Sequence, residues 1–189
     1  MESKISQNTS SRPRKALQSH VAFFDLDNDG IIWPLDTYNG FRAIGFGLIY
    51  SFMSVLVIHA AFSWFTFGTL IPDPFFRIRV SHIHRGMHGS DSGSYTQTGD
   101  LDEHRFNYMF DLYSSPPNTH LSFEEGVRMV RGNRNLWDFF GWFAAIFEWG
   151  ATYLLLGGED GRVSKQDIHD ILNVRFCLAL YLFAGLTCM

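Results

Sequence analysis

One twelve-residue stretch, residues 25–36, constrains this chain more than any other. It reads Asp-Leu-Asp-Asn-Asp-Gly-Ile-Ile-Trp-Pro-Leu-Asp. Asp25, Asp27 and Asp29 fall at positions 1, 3 and 5 of an EF-hand loop and Asp36 at position 12, while Gly30 stands where such a loop turns sharply. Ile31 offers a backbone carbonyl from position 7, and Ile32 at position 8 can pack against a partner loop. Calcium takes six to eight oxygen ligands, so four carboxylates within one short loop have a clear chemical purpose. The competing reading is an Asp-rich surface turn. Two departures bear on affinity: Asp36 replaces the usual bidentate Glu, and Trp33 at position 9 carries no side-chain oxygen. A one-oxygen contact from Asp36 predicts weaker calcium binding or more tolerance of magnesium.

Such a loop needs a helix on each side. Ala16, Leu17, Val21 and Phe24 recur at helical spacing and predict the entering helix over Lys15 to Phe24, with His20 upon it. Pro34 suits the first turn of the exiting helix, where its missing N–H has no partner to lose.

Behind the loop, no residue from Ala43 to Pro72 is charged. A membrane-spanning helix needs about 20 apolar residues, so this run predicts a lipid-associated helix, either tilted or dipping in and out. Ser51, Ser54, His59, Ser63 and Thr66 share one broad half of the helical wheel, which favours a helix lying at the interface over one that crosses. Pro72 and Pro74 are expected to end it.

The rest of the composition sets bounds. At 189 residues the chain suits one domain, and its net charge of −4 gives no reason to expect nucleic-acid binding. Aromatic residues make up 16 %, with 19 Phe, which points to membrane contact or a large apolar cavity beside the default of an aromatic core. Cys177 and Cys188 are the only cysteines, so a disulfide framework is not expected. Residues 1–14 read as a polar, weakly basic, disordered arm without a secretory signal.

Three histidines, His82, His84 and His88, then fall within seven residues before a Gly/Ser/Asp loop. Their spacing could serve zinc, although no Cys, Asp or Glu stands at a recognised ligand distance. Further on, three stretches repeat the EF-hand outline without its ligands: Ser114–Glu125 with Leu121 at position 8, Leu156–Asp167 with Val163 at position 8, and Ser94–Arg105. Since EF-hands pair at position 8, a non-binding partner for the first loop is expected among them. Leu136 to Leu156 is aromatic and apolar but interrupted by Asp138 and Glu148, so it reads as a buried or membrane-docked helix. The uncharged tail from Phe176 to Met189 is long enough to dock on lipid but short for a crossing.

Taken in order, several motifs resemble the caleosin family. They are His-Val-Ala-Phe-Phe-Asp (20–25) entering the EF-hand, Pro-Asp-Pro-Phe-Phe (72–76), His-x3-His-Gly-Ser-Asp-Ser (84–92), Gly-Asn-Arg (132–134), Trp-Asp-x-Phe-Gly-Trp (137–142) and Glu-Trp-Gly (148–150). The short arm resembles fungal rather than plant members. The resemblance implies a calcium-binding haem peroxygenase that carries oxygen from fatty-acid hydroperoxides to unsaturated fatty acids or sulfides. It implies haem b held by His20 and His88, and calcium held by Asp25, Asp27, Asp29, Ile31 and Asp36. It does not extend to His82 or His84. The implied setting is the cytosolic face of lipid droplets and endoplasmic reticulum, held monotopically on a phospholipid surface, with self-association left open. The alternative is a non-catalytic, calcium-regulated droplet coat or tether.

The expected fold is therefore mainly α: an EF-hand-type helix–loop–helix domain with an inserted apolar, membrane-associating helical segment. The expected divisions are an arm at 1–14, the EF-hand at 15–42, the lipid segment at 43–74, and a haem-binding, degenerate EF-hand-like region at 75–189.

Overall fold

The computed structural model describes residues 14–69 and 71–173. The arm expected before Arg14 and the tail with Cys177 and Cys188 lie outside the described residues. What is described is mainly helical, as expected.

Helix α1 (Ala16–Val21) continues as a 3-10 turn over Ala22–Phe24 and delivers the chain to Asp25. Strand β1 (Ile31–Ile32) closes the loop, and α2 (Pro34–Ala43) leaves it with Pro34 in its first turn. Helix α3 (Leu48–Phe67) follows a bend at Gly45, whose φ of 101° suits glycine alone. Gly68 ends α3: it adopts φ 64° and returns its N–H to the Trp64 carbonyl at 3.0 Å. The helix thus stops before Pro72 and Pro74, and the expected proline stop is replaced by a glycine cap.

The faces of α3 are inverted. Ser51, Ser54, His59, Ser63 and Thr66 are buried against the protein, while Leu48, Ile49, Phe52, Leu56, Trp64 and Phe65 are exposed. The expected polar half exists, but it faces inward rather than toward water. Burial is tolerated where the hydroxyls find local acceptors: Ser51 Oγ donates to the Gly47 carbonyl at 3.0 Å and Ser54 Oγ to that of Tyr50 at 2.8 Å, whereas Ser63 Oγ is buried without a partner. Helix α3 packs on α2 and on the segment formed by β2 (Ile78–Arg79) and the 3-10 turn Val80–Gly86.

The second half holds α4 (Glu103–Tyr113), β3 (His120–Ser122), α5 (Phe123–Gly132), α6 (Phe139–Leu156), β4 (Arg162–Ser164) and α7 (Lys165–Leu172). Helix α6 turns the small residues Gly141, Ala144 and Ala145 inward and leaves Phe139, Phe143, Ile146 and Leu154 outside. By length and composition, α3 and α6 are each apolar enough to cross a membrane.

Two short antiparallel ladders tie the loops together. Ile32 pairs with Ile78, and Leu121 pairs with Val163. The two later loops that matched at position 8 therefore pair with each other. The partner of the first loop is instead the segment after α3, which the loop pattern did not reveal because that segment offers one carboxylate, Asp73, and no turn glycine. The third match, around Gly99, closes on itself through a Tyr95–Leu101 bridge and joins no ladder; its Gly99 carbonyl accepts the Leu17 N–H of α1 at 2.9 Å.

Each ladder nucleates its own core. Ile32, Ile78, Val80 and Ile83 form one; Leu121 and Val163 join Phe106, Phe110 and Met129 in the other. A cavity of about 330 Å³ is walled by residues of both halves.

Candidate functional site: an acidic loop beside a two-histidine cavity

The loop after α1 gathers three of its four expected carboxylates. Oxygens of Asp25, Asp27 and Asp29 all lie within 4.8 Å of one another. Gly30 takes φ 84° so that its N–H can donate to Asp25 Oδ2 at 3.1 Å, and Asp29 Oδ1 accepts the Ile31 N–H at 2.7 Å. Asp25 Oδ1 is buried without a hydrogen-bond partner. Burial, together with the charges of Asp29 and Asp27, pushes the Asp25 carboxyl above the usual range despite the Gly30 N–H. Three crowded carboxylates with an unmatched buried oxygen fit a hard divalent cation. Ile31 lies on β1 opposite Arg79. Asp36 stands apart: its Oδ2 accepts the Trp33 N–H at 2.9 Å and caps α2.

In the Ser114–Glu125 match, position 12 is the one ligand position with a carboxylate. Glu125, at position 12, is buried; its Oε1 accepts the Ser115 N–H and hydroxyl and its Oε2 accepts the Ser122 N–H. Burial works against its ionisation, but these hydrogen bonds outweigh burial and hold the carboxyl down at about 2. Serines supply from within what an ion would supply from outside.

His20 and His88 open onto the same cavity. His20 comes from the last turn of α1, and its Nδ1 lies 3.0 Å from the Ile171 carbonyl of α7. Burial lowers its pKa, against the pull of that carbonyl, so the ring is neutral. A carbonyl can only accept, so Nδ1 carries the proton and Nε2 keeps its lone pair.

His88 comes from the loop after the 3-10 turn and stands edge-on to Phe140 of α6. Its Nδ1 is 3.9 Å from Asp138 Oδ2 and its Nε2 is 4.0 Å from Glu148 Oε2, while Nδ1 itself is buried without a hydrogen bond. Asp138 is fixed by the Ser90 hydroxyl at 2.8 Å and the Gly141 N–H at 2.9 Å. Thus the His-Gly-Ser-Asp loop is docked on the start of α6. Burial opposes the ionisation of Asp138, but Ser90, Gly141 and His88 together hold it ionised. Glu148 opens onto the lumen, yet the apolar wall desolvates it and Asp91 adds a like charge, which together push its carboxyl up to about 7.

The remaining walls are largely apolar, with Phe24, Phe41, Ile58, Phe62 and Leu155 among them. Neutral imidazole nitrogen on one element, an orphaned imidazole nitrogen on another, and an apolar chamber between them fit a haem. His82 and His84 are not part of this wall. The His82 Nδ1 hydrogen donates to the Thr66 carbonyl at 3.0 Å, and His84, whose Nδ1 is likewise buried without a hydrogen bond, does not line the cavity. The three neighbouring histidines therefore form no joint zinc centre among the described residues.

The family model described as "Caleosin related protein" matches residues 12–176. The chain belongs to the caleosin family. This caleosin is 41 % identical over 152 residues to a protein of Lilium longiflorum named "Peroxygenase", an overlap covering 80 % of this chain. The chain spans 64 % of the lily protein's length. It is also 34 % identical over 152 residues to "Probable peroxygenase 4" of Arabidopsis thaliana, covering 80 % of this chain and 78 % of that protein. No solved structure matches it.

Asp138 and Glu148 as neighbours of His88 do not follow from the sequence reading. The available signal was a carboxylate interrupting an apolar helix, which marks a polar cavity wall as well as a poor membrane span.

Proposed function

We propose that this caleosin is a calcium-dependent haem peroxygenase working at a lipid surface. What supports the reading most is that His20 and His88, drawn from distant segments, line one apolar cavity. In this reading His20 holds the iron through Nε2, with the Ile171 carbonyl fixing ring orientation and tautomer. A haem bound there supplies cleavage of a hydroperoxide O–O bond and passage of one oxygen atom to an alkene or sulfide, leaving the donor as an alcohol. His88 lines the same cavity and would also be able to hold the haem; when it does not, its ring would take the hydroperoxide proton and return it to the departing alkoxide oxygen, so protons balance over the cycle. Asp138 and Glu148 flank the ring and stabilise its charged form during that transfer. The aromatic and aliphatic walls bind the acyl chain and exclude water.

The Asp25, Asp27 and Asp29 carboxylates, with the Ile31 carbonyl and with Asp36 on rearrangement of its cap, would hold calcium. The loop directly follows the helix bearing His20, so the cation sets that helix's end. The outward apolar faces of α3 and α6 support a monotopic seat on a droplet or endoplasmic reticulum surface, open to the cytosol. The same faces are what a non-catalytic coat would use.

The test is spectroscopic. Protein made with ample haem should show a Soret band; His20→Ala and His88→Ala should each lose or distort it and abolish hydroperoxide-dependent epoxidation, with calcium binding intact. His82→Ala and His84→Ala should leave both unchanged. Protein that lacks the band under these conditions acts as a coat, not as an oxygenase.

A further inference from the structure

Trp33 and Thr37 leave the acidic loop for an unexpected destination. Both lead to the exposed turn Pro72–Arg77. The Trp33 ring lies 6.0 Å from that of Phe75, and the Arg77 guanidinium lies over both rings, 5.2 Å from Trp33 and 5.3 Å from Phe75. Thr37, buried on α2 one residue past Asp36, places its hydroxyl 2.7 Å from His59 Nε2. His59 Nδ1 in turn lies 2.5 Å from the Phe76 carbonyl.

The chemistry of this chain is directional. The Phe76 carbonyl only accepts, so His59 Nδ1 carries the proton, and the neutral ring's Nε2 accepts from the Thr37 hydroxyl. Its far end is strained. Phe76 adopts φ 53°, a conformation unfavourable for a bulky residue and worth holding only where surroundings enforce it. The enforcers are the Phe76 N–H to the Asp73 carbonyl, the paired Asp73–Arg77 hydrogen bonds, and His59. Phe75 and Phe76 themselves are largely exposed, 60 % and 49 %, beside Ile71 at 78 %. They follow in the chain on the exposed Trp64 and Phe65 of α3.

We infer that His59 is a positioning residue that couples the acidic loop to the Phe75–Phe76 turn, so that cation occupancy sets how this turn meets a phospholipid surface. The inference rests on the calcium reading above. When the carboxylates close on a cation, α2 shifts with Asp36; Thr37 moves with it, and His59 carries the movement to the Phe76 carbonyl.

The experiment uses the full chain on phosphatidylcholine vesicles, with calcium chloride or chelator, and follows amide hydrogen exchange over residues 75–79. Calcium binding itself is measured separately by calorimetry. In the natural chain, calcium should slow exchange at Phe76 and Arg77 about fivefold, the effect of one net hydrogen bond. Thr37→Val should bind calcium with affinity within about threefold yet lose that slowing, because the residual effect of a distant, uncoupled change is small. Should Thr37→Val fail to fold, Thr37→Ser must keep the response and Thr37→Ala must lose it. The coupling is wrong if Thr37→Val keeps the full response, or if the natural chain binds calcium with no change at Phe76 and Arg77. A natural chain that binds no calcium in the calorimeter overturns the calcium reading itself, and the coupling with it.

Discussion

Asp25→Asn should make the chelator-treated protein more stable and the calcium-treated protein less so. Three carboxylate oxygens stand within 4.8 Å of one another. At that separation each like-charged pair repels by about 0.9 kcal/mol with the screening of bulk water, and about 3.5 kcal/mol at an effective dielectric constant near 20. Removing the Asp25 charge deletes two of the three pairs, while the Asn oxygen can still accept the Gly30 N–H. The unfolded chain keeps part of the same repulsion between neighbours, so a net gain of about 2 kcal/mol is expected. That corresponds to a melting-point rise of roughly 4–8 °C for a chain of this size. Calcium reverses the order: at a hundred times its dissociation constant it stabilises the natural chain by about 2.7 kcal/mol, and the variant forgoes most of this. The pH dependence has the same origin. The folded Asp25 holds its proton more tightly than the unfolded chain does. In chelator, stability from this residue is therefore present at low pH and lost as pH rises through the carboxylate range, a slope the variant lacks. Thermal melts in chelator and in calcium, across pH 4 to 7, decide the matter. A variant that melts lower in chelator, or gains as much from calcium as the natural chain, refutes the electrostatic account.

Glu125 carries the opposite sign. Its folded pKa is depressed to about 2, so its contribution is present above the unfolded value and fades as pH falls toward 2. Glu125→Gln should lose about 2–3 kcal/mol at pH 7 and much less near pH 3, measured by urea unfolding. The inverted faces of α3 predict a contrast. Ile49→Ser with Phe52→Ser should weaken vesicle binding about tenfold or more with stability nearly unchanged, because burying apolar side chains in lipid drives association. Ser54→Leu, forced into a fully buried site, should destabilise by about 2 kcal/mol and leave the lipid-facing surface intact, as a melt and a flotation assay would report.

Much of this was open to reading from residues alone, and the failures are instructive. The Asp25–Asp29 loop, the entering helix and the start of α2 at Pro34 follow from local rules, since ligand spacing, periodicity and proline chemistry act within a few residues. His20 and His88 could be named only through the caleosin motifs. No local rule brings α1 and the Gly-Ser-Asp loop to one cavity, which depends on α6 and α7 packing behind them. The choice of loop partner went astray for a related reason. Around Ile78 only Asp73 is ligand-like and no glycine turns the chain, so it takes tertiary packing against α3 to set Ile78 beside Ile32. The wheel of α3 was read correctly in composition and wrongly in direction, because a half-polar helix looks the same whether its hydroxyls face water or a protein. Trp33 was noted only for the oxygen it lacks, whereas its ring proves to be a contact with Phe75.

The outward apolar faces of α3 and α6 carry a consequence for how any rate on this protein should be counted. On the proposed reading, a molecule seated by those faces would meet acyl substrates in two dimensions, and what fills the chamber would be set by their proportion in the layer rather than by molarity in the flask. Doubling the amount of inert phospholipid at fixed substrate would then slow turnover with no change in any side chain, while doubling substrate and phospholipid together would leave the rate per molecule unchanged. Stripped of that layer, the same faces would find each other. Aggregation in detergent-free buffer is then expected of so apolar a surface, and on the proposed reading saturation curves are best drawn against mole fraction.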